Sequence, residues 1–278
     1  MKPGTDPTPD SVVLSTGARL PRVGLGVFRS PTGGVTRAVV RQALALGYRH
    51  IDTAKIYGNE TEVGAALSDS GLERSQVFVT TKLWNEDQGY DAALSAFDGS
   101  LRRLGLEYVD LFLLHFPVPG KRLDSWRALE RLADEGRARA IGVSNFMTHH
   151  LEELLRVART PPSVNQIEVS PFLQQQPVRK MCRRHGIAVE AYSPLTKGRR
   201  LTHPTVLQIA QQAQATPAQV LLRWGLDQGL VVLPKTTQPA RLAENWAAQT
   251  VSLSADQRAA LDALEEGLVT GWDPRQVE

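Results

Sequence analysis

The sequence is poor in cysteine and in long apolar runs, and each absence excludes a class of protein. Its single cysteine, Cys182, excludes an intrachain disulfide and fits a reducing compartment, where we expect an inert thiol on a helix. No apolar run approaches the roughly 20 residues that a membrane-spanning helix needs. Residues 1–10 are rich in Pro, Asp and Thr and lack a signal peptide's apolar core. We therefore expect a flexible N-terminal lead, a cytoplasmic location and no membrane contact.

A strong charge of either sign is also missing. The 32 Lys and Arg residues and the 29 Asp and Glu residues give a formal net charge of +3. Pairs such as Arg102-Arg103 and Arg183-Arg184 are short and scattered, as on solvated helix faces, so we expect no binding to nucleic acid. Hydrophobic residues make up 42% and charged residues 22% of the chain, a composition typical of globular proteins.

What the chain does contain is a regular alternation of short apolar strands and amphipathic helices. The predicted strands are 23–27, 48–52, 77–81, 108–114, 139–144, 163–168, 188–192 and 230–234. The helices predicted to follow them are 35–46, 61–70, 90–104, 123–135, 148–160, 177–185, 217–227 and 239–247. Gly105 and Gly136 are among the glycines just past helix ends, where a left-handed cap is needed.

Strands that are each followed by a helix predict a closed parallel barrel, the (β/α)8 or TIM barrel of the α/β class. Such a barrel commonly occupies about 250 residues as one domain, and no linker divides residues 11–278, which we assign to a single catalytic domain. Residues 11–14 and 19–21 flank Thr16-Gly17 and predict an N-terminal β-hairpin that covers one end of the core. Helical patterns at 204–213 and 255–266 fall outside the repeat and predict two extra helices.

Three successive strands end in residues that carry chemistry. Asp52 ends the second strand, Lys82 the third and His115 the fourth, while Tyr57 lies on the loop after Asp52. Active sites of such barrels lie at the C-terminal strand ends, and neighbouring strands are about 4.8 Å apart, so these side chains can converge at one mouth. Together they predict a proton-donor site in which Asp52 keeps Lys82 charged and Lys82 stabilises the phenolate of Tyr57. Both effects are expected to lower the tyrosine pKa from about 10.

Each of these residues also has an ordinary structural explanation. Asp52 could cap a turn through neighbouring backbone N–H groups, and Tyr57 could be half-buried packing with a solvated hydroxyl. A lysine after a strand, like Lys82, is usually solvated, and a histidine that closes an apolar strand, like His115, is more often a hydrogen-bonded core group. Their occurrence on successive strands favours a shared site over independent coincidences.

The strand ends in the other half of the barrel carry amide, hydroxyl and aromatic groups. They suit a flat heteroaromatic carboxamide, with Tyr192 as a stacking face. The candidate residues there are Ser144, Asn145, Gln166, Tyr192, Ser193 and Leu195.

An anion site is predicted at the start of the eighth helix. A lysine, an arginine, hydroxyls and a helix N-terminus gather there and suit a phosphate on a ribose. The candidate residues are Lys235, Thr236, Arg241, Glu244 and Asn245.

In combination, these segments resemble the aldo-keto reductases. The resemblance runs in the family's order from near Val12 to the C-terminus, and its motifs are highly specific together. The motifs are Asp52-Thr53-Ala54-x-x-Tyr57-Gly58-Asn59-Glu60, Lys82-Leu83-Trp84, Leu113-Leu114-His115-x-Pro117, Gly142-Val143-Ser144-Asn145-Phe146 and Pro234-Lys235-Thr236 with Arg241, Glu244 and Asn245.

The resemblance implies direct hydride transfer from NADPH to an aldehyde or ketone. It implies that Tyr57 donates the proton and that Lys82 and Asp52 adjust the pKa of Tyr57. It also implies that His115 orients the carbonyl and shares in proton transfer. The cofactor roles that it implies are carboxamide binding by Ser144, Asn145 and Gln166, nicotinamide stacking by Tyr192, 2′-phosphate binding by Lys235, Thr236 and Arg241, and adenine binding by Glu244 and Asn245.

Departures from the family pattern bear on the substrate. Phe28 and Phe116 stand where many members have tryptophan, and the loop after His115 is short. The chain is similar to the bacterial branch that includes the 2,5-diketo-gluconate reductases, which implies an open pocket. We predict pocket walls at Phe28, Trp84 and Phe116, and packing roles for Trp126, Trp224 and Trp246. Trp272 either overhangs the mouth or is loose.

Other enzyme classes fit the sequence less well. The segment Gly24-Leu25-Gly26-Val27-Phe28-Arg29 lacks the third glycine of a dinucleotide-binding fingerprint. No tyrosine stands four residues before a lysine, as the short-chain reductases require. A Schiff-base aldolase could use Lys82 but leaves the phosphate-binding half unexplained. His149 and His150 point about 100° apart on a helix, so we expect surface histidines and no metal site.

A second class of function stays open. A nicotinamide-binding regulatory module would keep the pocket and signal its redox state to a partner. The complete catalytic set favours an enzyme that acts on a small carbonyl compound, and a monomer is typical of the family.

Overall fold

Short strands and α-helices alternate along residues 10–278, the part of the chain that the computed structural model describes. The strands are β1 Ser11–Val13, β2 Arg19–Pro21, β3 Leu25–Gly26, β4 His50–Asp52, β5 Phe78–Leu83, β6 Val109–Leu114, β7 Ala138–Ser144, β8 Val164–Glu168, β9 Ala188–Tyr192 and β10 Val231–Leu233. The helices are α1 Val35–Ala45, α2 Glu60–Asp69, α3 Tyr90–Leu104, α4 Arg122–Asp134, α5 Thr148–Val157, α6 Gln176–Arg184, α7 Pro204–Gln212, α8 Pro217–Asp227, α9 Pro239–Ala247 and α10 Ala255–Asp262. The predicted lead lies, apart from Asp10, outside the described residues.

Strands β3 to β10 form one parallel sheet in chain order, and β1 pairs with β2 in a separate antiparallel sheet. A parallel bridge joins Val23 to Val232, and the backbone N–H of Gly24 donates to the Val232 carbonyl at 3.0 Å. These contacts close the sheet on itself. The predicted TIM barrel with an N-terminal hairpin and two extra helices, α7 and α10, is confirmed.

The hairpin covers the N-terminal end of the barrel. Leu14 and Leu20 are buried in one apolar cluster with Phe78, Leu111 and Val231, which lie inside the barrel on β5, β6 and β10. The apolar cluster fills that end, so the opposite end, where the strands terminate, is left for the site.

Two helices, α5 and α10, end three and four residues earlier than the sequence pattern predicted. Helix α5 stops at Val157, and Ala158 is already extended, with φ −67° and ψ 127°. Pro161 disfavours the helical conformation at Thr160, so the helix cannot run to the predicted end at residue 160. Helix α10 stops at Asp262, after which the backbone N–H of Leu268 donates to the Phe172 carbonyl at 2.9 Å. The chain then turns back towards the barrel mouth.

The core contains the large side chains that the sequence assigned to packing. Trp126 and Trp224 are each 1% exposed, and Trp246 packs against Tyr48 with ring centroids 4.7 Å apart. Cys182 is buried, and burial raises the pKa of its thiol to about 11, which keeps it protonated and unreactive. Across residues 10–278, none of the helices has both the length and the apolar character to cross a membrane.

Candidate active site

A buried lysine holds the centre of the site. Lys82 is 0% and Asp52 3% exposed, and the Lys82 Nζ donates to the Asp52 Oδ1 and Oδ2 atoms at 2.7 and 2.8 Å. The same Nζ donates to the Thr53 carbonyl at 2.9 Å and to the Tyr57 hydroxyl at 3.3 Å. The ammonium therefore joins a carboxylate to a phenol at the C-terminal ends of β4 and β5.

His115 completes this cluster from the end of β6. Its ring lies edge-on to Tyr57 and Trp84, with centroid separations of 5.7 and 5.3 Å. Burial, and then the positive charge of Lys82, hold the pKa of His115 well below its ordinary value. The imidazole is therefore neutral at pH 7 and can donate one N–H to an oxygen in the mouth.

The expected lowering of the Tyr57 pKa was wrong. Burial raises the pKa of the phenol, and this effect outweighs the lowering by the Lys82 ammonium. Asp52 also raises the Tyr57 pKa, because its negative charge disfavours a nearby phenolate. Although burial lowers the Lys82 pKa, Asp52 and Tyr57 raise it more, so Lys82 stays charged. Tyr57 is consequently a protonated phenol beside a permanent cation.

The turn that carries Tyr57 is fixed by buried polar contacts. Thr53 donates its hydroxyl to the Asn59 Oδ1 atom at 2.9 Å, and the Asn59 Nδ2 donates to the Val27 carbonyl at 2.9 Å. One residue on, Glu60 accepts from the Thr81 hydroxyl at 2.6 Å. The turn is thus tied both to the segment after β3 and to β5.

Asn145 links the two halves of the mouth. Its φ of 64° lies in the left-handed region, which asparagine tolerates better than most residues. Its Nδ2 donates to the His115 carbonyl at 2.9 Å, and its Oδ1 accepts from the Tyr192 hydroxyl at 2.8 Å. Ser144 donates its hydroxyl to the Gln166 carbonyl at 2.8 Å. The predicted carboxamide-binding side chains therefore lie together.

The Gln166 side chain contacts residues inside the barrel as well as the mouth. Its Nε2 donates to the Asp52 Oδ2 atom at 2.8 Å and to the Glu190 Oε2 atom at 2.9 Å. Among residues 10–278, none donates a hydrogen bond to its Oε1 atom. Sequence reasoning missed Glu190, although a charged residue two positions before Tyr192 in an apolar strand was a signal.

The predicted anion site is open to solvent. Lys235 and Arg241 are exposed, and neither forms an ion pair within the described part of the chain. Thr236 accepts from the backbone N–H of Gln238 at 3.0 Å. Glu244 is also tied to the fold, since its Oε1 atom accepts from the Thr216 hydroxyl at 2.5 Å. The last predicted members, Ser193 and Leu195, follow Tyr192 and are half-buried, and Asn245 is 3% exposed.

The predicted pocket walls surround the cluster of Asp52, Tyr57, Lys82 and His115. The Phe28 ring lies 5.0 Å from that of Tyr57, between centroids, and Phe116 lies 6.1 Å from Trp272. Trp272 also lies 5.5 Å from Trp84. Of the two alternatives for Trp272, the structure shows the one in which it overhangs the mouth.

A carboxylate that sequence reasoning missed holds the tail in this position. Glu168, at the end of β8, is 4% exposed and accepts from the backbone N–H groups of Thr270 and Gly271 at 3.0 and 2.9 Å. The Thr270 hydroxyl also donates to Glu168, and Lys197 donates to the Thr270 carbonyl. The signal was its place at a strand end, where the other site residues were found.

The two adjacent histidines differ from expectation. His149 is exposed, but His150 is 0% exposed, so the prediction of two surface histidines was wrong. The His150 Nδ1 accepts from the backbone N–H of Met147 at 3.0 Å, and its Nε2 bonds the Val277 carbonyl at 2.8 Å. It caps α5 and holds the tail. No metal-binding cluster of His, Cys, Asp or Glu occurs within residues 10–278.

Comparisons with known proteins agree with this geometry. Residues 34–266 match the model of the Aldo/keto reductase family. The glyoxal reductase of Bacillus subtilis (strain 168) is 45% identical over 268 residues, which are 96% of this chain and 97% of that protein. The 9,11-endoperoxide prostaglandin H2 reductase of Trypanosoma cruzi (strain CL Brener) is 45% identical over 266 residues, covering 95% and 94%.

Solved structures show the same fold. The crystal structure of an aspartate-to-alanine mutant of Gox0644 in complex with NADPH has a TM-score of 0.92 and 40% identity, covering 97% of this chain and 99% of that one. The MGS-M4 aldo-keto reductase, from a Medee basin deep-sea metagenome library, has a TM-score of 0.93 and 41% identity, covering 96% and 100%. With these matches, the barrel and the buried lysine cluster lead to one conclusion: the chain belongs to the Aldo/keto reductase family.

Proposed function

We propose that this protein reduces aldehydes and ketones to alcohols with NADPH and that Tyr57 is the general acid. One observation carries the proposal. The hydroxyl of Tyr57 lies 3.3 Å from the Lys82 Nζ, which is itself paired with Asp52, beside the neutral ring of His115. A phenol beside a fixed cation is suited to releasing a proton to a bound carbonyl oxygen.

The proton transfer follows from the charges in the cluster. When bound, NADPH supplies a hydride to the carbonyl carbon and is left as NADP+. The carbonyl oxygen takes the phenolic proton of Tyr57, which completes the alcohol and leaves a phenolate. Lys82 stabilises that phenolate, and Asp52 keeps the ammonium in place. His115 donates a hydrogen bond to the same oxygen and orients it before transfer.

Several side chains fit the proposed cofactor. The Gln166 Oε1 atom has no donor within residues 10–278, so it is available to a carboxamide N–H, with Ser144 and Asn145 beside it. Tyr192 offers a stacking face, and backbone groups of Ser193 and Leu195 lie on the following loop.

The exposed cations fit the other end of the cofactor. Lys235 and Arg241, unpaired with carboxylates within residues 10–278, suit a 2′-phosphate together with Thr236, and this supports NADPH over NADH. Glu244 and Asn245 are proposed at the adenine.

The aromatic mouth, which Trp272 makes narrower than the open pocket that the resemblance implied, favours small reactive carbonyl compounds. Phe28, Trp84 and Phe116 provide apolar walls, and Trp272 narrows the opening. The relative named glyoxal reductase supports dicarbonyl and aldehyde substrates, in keeping with the bacterial branch that includes the 2,5-diketo-gluconate reductases. We further propose that residues 11–278 act as one domain, in a cytoplasmic monomer that binds no nucleic acid.

The decisive experiment is turnover by the wild type and Tyr57→Phe. NADPH oxidation with glyoxal is followed by absorbance, and NADPH binding by quenching of tryptophan fluorescence. We expect Tyr57→Phe to lose about 10²- to 10⁴-fold in kcat with the NADPH Kd unchanged, as for removal of a general acid. Tyr90→Phe, at an exposed tyrosine outside the site, is the matched control. A wild type that binds NADPH but reduces no carbonyl compound would favour the redox-sensing regulatory module instead.

A further inference from the structure

Glu190 is a buried carboxyl group for which the proposed mechanism has no use. It lies on β9 with 0% exposure, next to Gln166 on β8 in the strand register. The Gln166 Nε2 donates to the Glu190 Oε2 atom at 2.9 Å and to the Asp52 Oδ2 atom at 2.8 Å. A single amide nitrogen therefore connects Glu190 to the carboxylate that holds Lys82.

The other Glu190 oxygen, Oε1, is buried and has no hydrogen-bond partner within residues 10–278. It lies 3.6 Å from the Nε2 of His50 on β4. His50 is 0% exposed and bonds the Thr80 hydroxyl at 3.2 Å. Burial lowers the pKa of His50 to about 4, so this imidazole is neutral at pH 7.

Two carboxyl groups, those of Asp52 and Glu190, thus lie near one ammonium group, that of Lys82. The groups that face Glu190 are Asp52 and His50 from β4 and Lys82 from β5. Lys82 is bonded directly to Asp52, so a second negative charge has no separate counter-ion among the described residues. Burial, and then the charge of Asp52, raise the pKa of Glu190 to about 8. Glu190 is therefore mainly protonated at neutral pH.

We propose that Glu190 is a positioning residue for proton transfer from Tyr57: through Gln166 it fixes the Asp52 carboxylate against Lys82, and its ionisation opposes formation of the phenolate. The inference rests on the proposed function. In its neutral form, Glu190 accepts one N–H of Gln166 and leaves the other for Asp52. In its ionised form, it adds a negative charge inside a low-dielectric interior and makes the phenolate of Tyr57 less favourable.

The interpretation predicts two separable effects. Glu190→Leu removes one of the two acceptors of the Gln166 amide and leaves only Asp52 to orient it. Glu190→Gln keeps the shape and an acceptor oxygen but cannot ionise. We expect kcat for carbonyl reduction by the wild type to fall as the pH rises through about 8, where Glu190 ionises. In Glu190→Gln that part of the decline is absent.

The test is a double-mutant cycle with a pH profile, run with glyoxal at saturating NADPH. We expect Glu190→Leu to lower kcat about tenfold and Glu190→Leu with Gln166→Leu to be no worse than Gln166→Leu alone, because residues acting as a unit are non-additive. Asp110→Asn is the control, since Asp110 is a buried carboxylate that bonds Arg74 at 2.6 Å, outside the site. Melting temperatures show whether each variant is folded.

Two outcomes would overturn the inference. One is that the effects of Glu190→Leu and Gln166→Leu on the activation free energy simply add in the double variant, which would mean that Glu190 does not act through Gln166. The other is an unchanged alkaline decline of kcat in Glu190→Gln, a near-isosteric variant expected to fold. Failure of the proposed function would give a different result. The wild type would then reduce no carbonyl compound, and Tyr57→Phe would not change its activity.

Discussion

The indole of Trp272 lies 5.5 Å from the indole of Trp84, measured between ring centroids, at a tilt of 41°. This contact places a residue of the C-terminal tail over the proposed catalytic cluster, 6.4 Å from the His115 ring. Glu168 secures it by accepting hydrogen bonds from Thr270 and Gly271. The tail therefore covers the mouth, and Glu168 is one of the residues that hold it there.

Trp272→Ala is expected to remove the apolar roof. We expect KM for an aromatic aldehyde to rise about tenfold, because a buried aromatic contact contributes roughly 0.5–1.5 kcal/mol beyond its area. KM for glyoxal, which is too small to reach the roof, stays within about twofold. Glu168→Gln should shift KM in the same direction and speed amide exchange at Thr270 and Gly271. Equal KM changes for both aldehydes would contradict a role in substrate contact.

Lys235→Ala combined with Arg241→Ala tests the phosphate site. Both cations are expected to contact the 2′-phosphate, which NADH lacks, so we expect the Kd of NADPH to rise at least about 100-fold and that of NADH only slightly. Arg159→Ala, at an exposed arginine that pairs with Asp134, is the control. An equal loss of affinity for NADPH and NADH would show that the 2′-phosphate binds elsewhere. Fluorescence titration measures both constants.

His150 is expected to make the fold sensitive to acid. Burial lowers its pKa from 6.5 to about 4, and its Nδ1 must stay unprotonated to accept from Met147. Between pH 6.5 and 4 the unfolded chain therefore binds a proton at His150 that the folded chain does not. The free energy of unfolding consequently decreases as the pH falls from 6.5 towards 4. His150→Gln should flatten part of that fall in melting temperature, whereas exposed His149→Gln should not. An identical dependence of melting temperature on pH in the wild type and in His150→Gln would contradict this role of His150.

Gly64 is expected to be irreplaceable in α2. An added methyl group would collide with the backbone carbonyl of Leu104, so Gly64→Ala should lower the free energy of unfolding by about 1–3 kcal/mol despite its better helix propensity. At Gly99 on α3 the same methyl meets only the flexible Arg103 side chain, at 3.1 Å. Gly99→Ala should therefore be neutral or stabilising. Denaturant titrations of both variants provide the comparison.

The barrel could be predicted because its signals are local. Each strand is a short apolar run, and glycines such as Gly105 and Gly136, with φ of 65° and 70°, end the helices where the sequence indicated. Asp52, Lys82 and His115 could be grouped for the same reason, since strand ends of a parallel barrel meet at one face. Helix ends were harder to predict, because a proline restricts the backbone of the residue before it, as Pro161 does at Thr160.

Contacts across the barrel could not be read from the sequence. The bond from Gln166 to Asp52 joins strands on opposite sides, and the bond from Thr270 to Glu168 joins residues far apart in the chain. The direction of the Tyr57 pKa also depends on burial, which the pattern of charged neighbours does not show. Glu190 was missed because its partner lies on another strand.

Thr81 and Lys82 are neighbours on β5, and their side chains point to opposite faces of the strand. Lys82 reaches inward to the Tyr57 hydroxyl, while Thr81 reaches outward to Glu60, at the start of the helix that follows Tyr57. The same two-residue stretch of β5 therefore contributes to both ends of the Lys82–Tyr57 contact. Lys82 supplies the ammonium, and Thr81, through Glu60, helps to fix the turn that carries Tyr57.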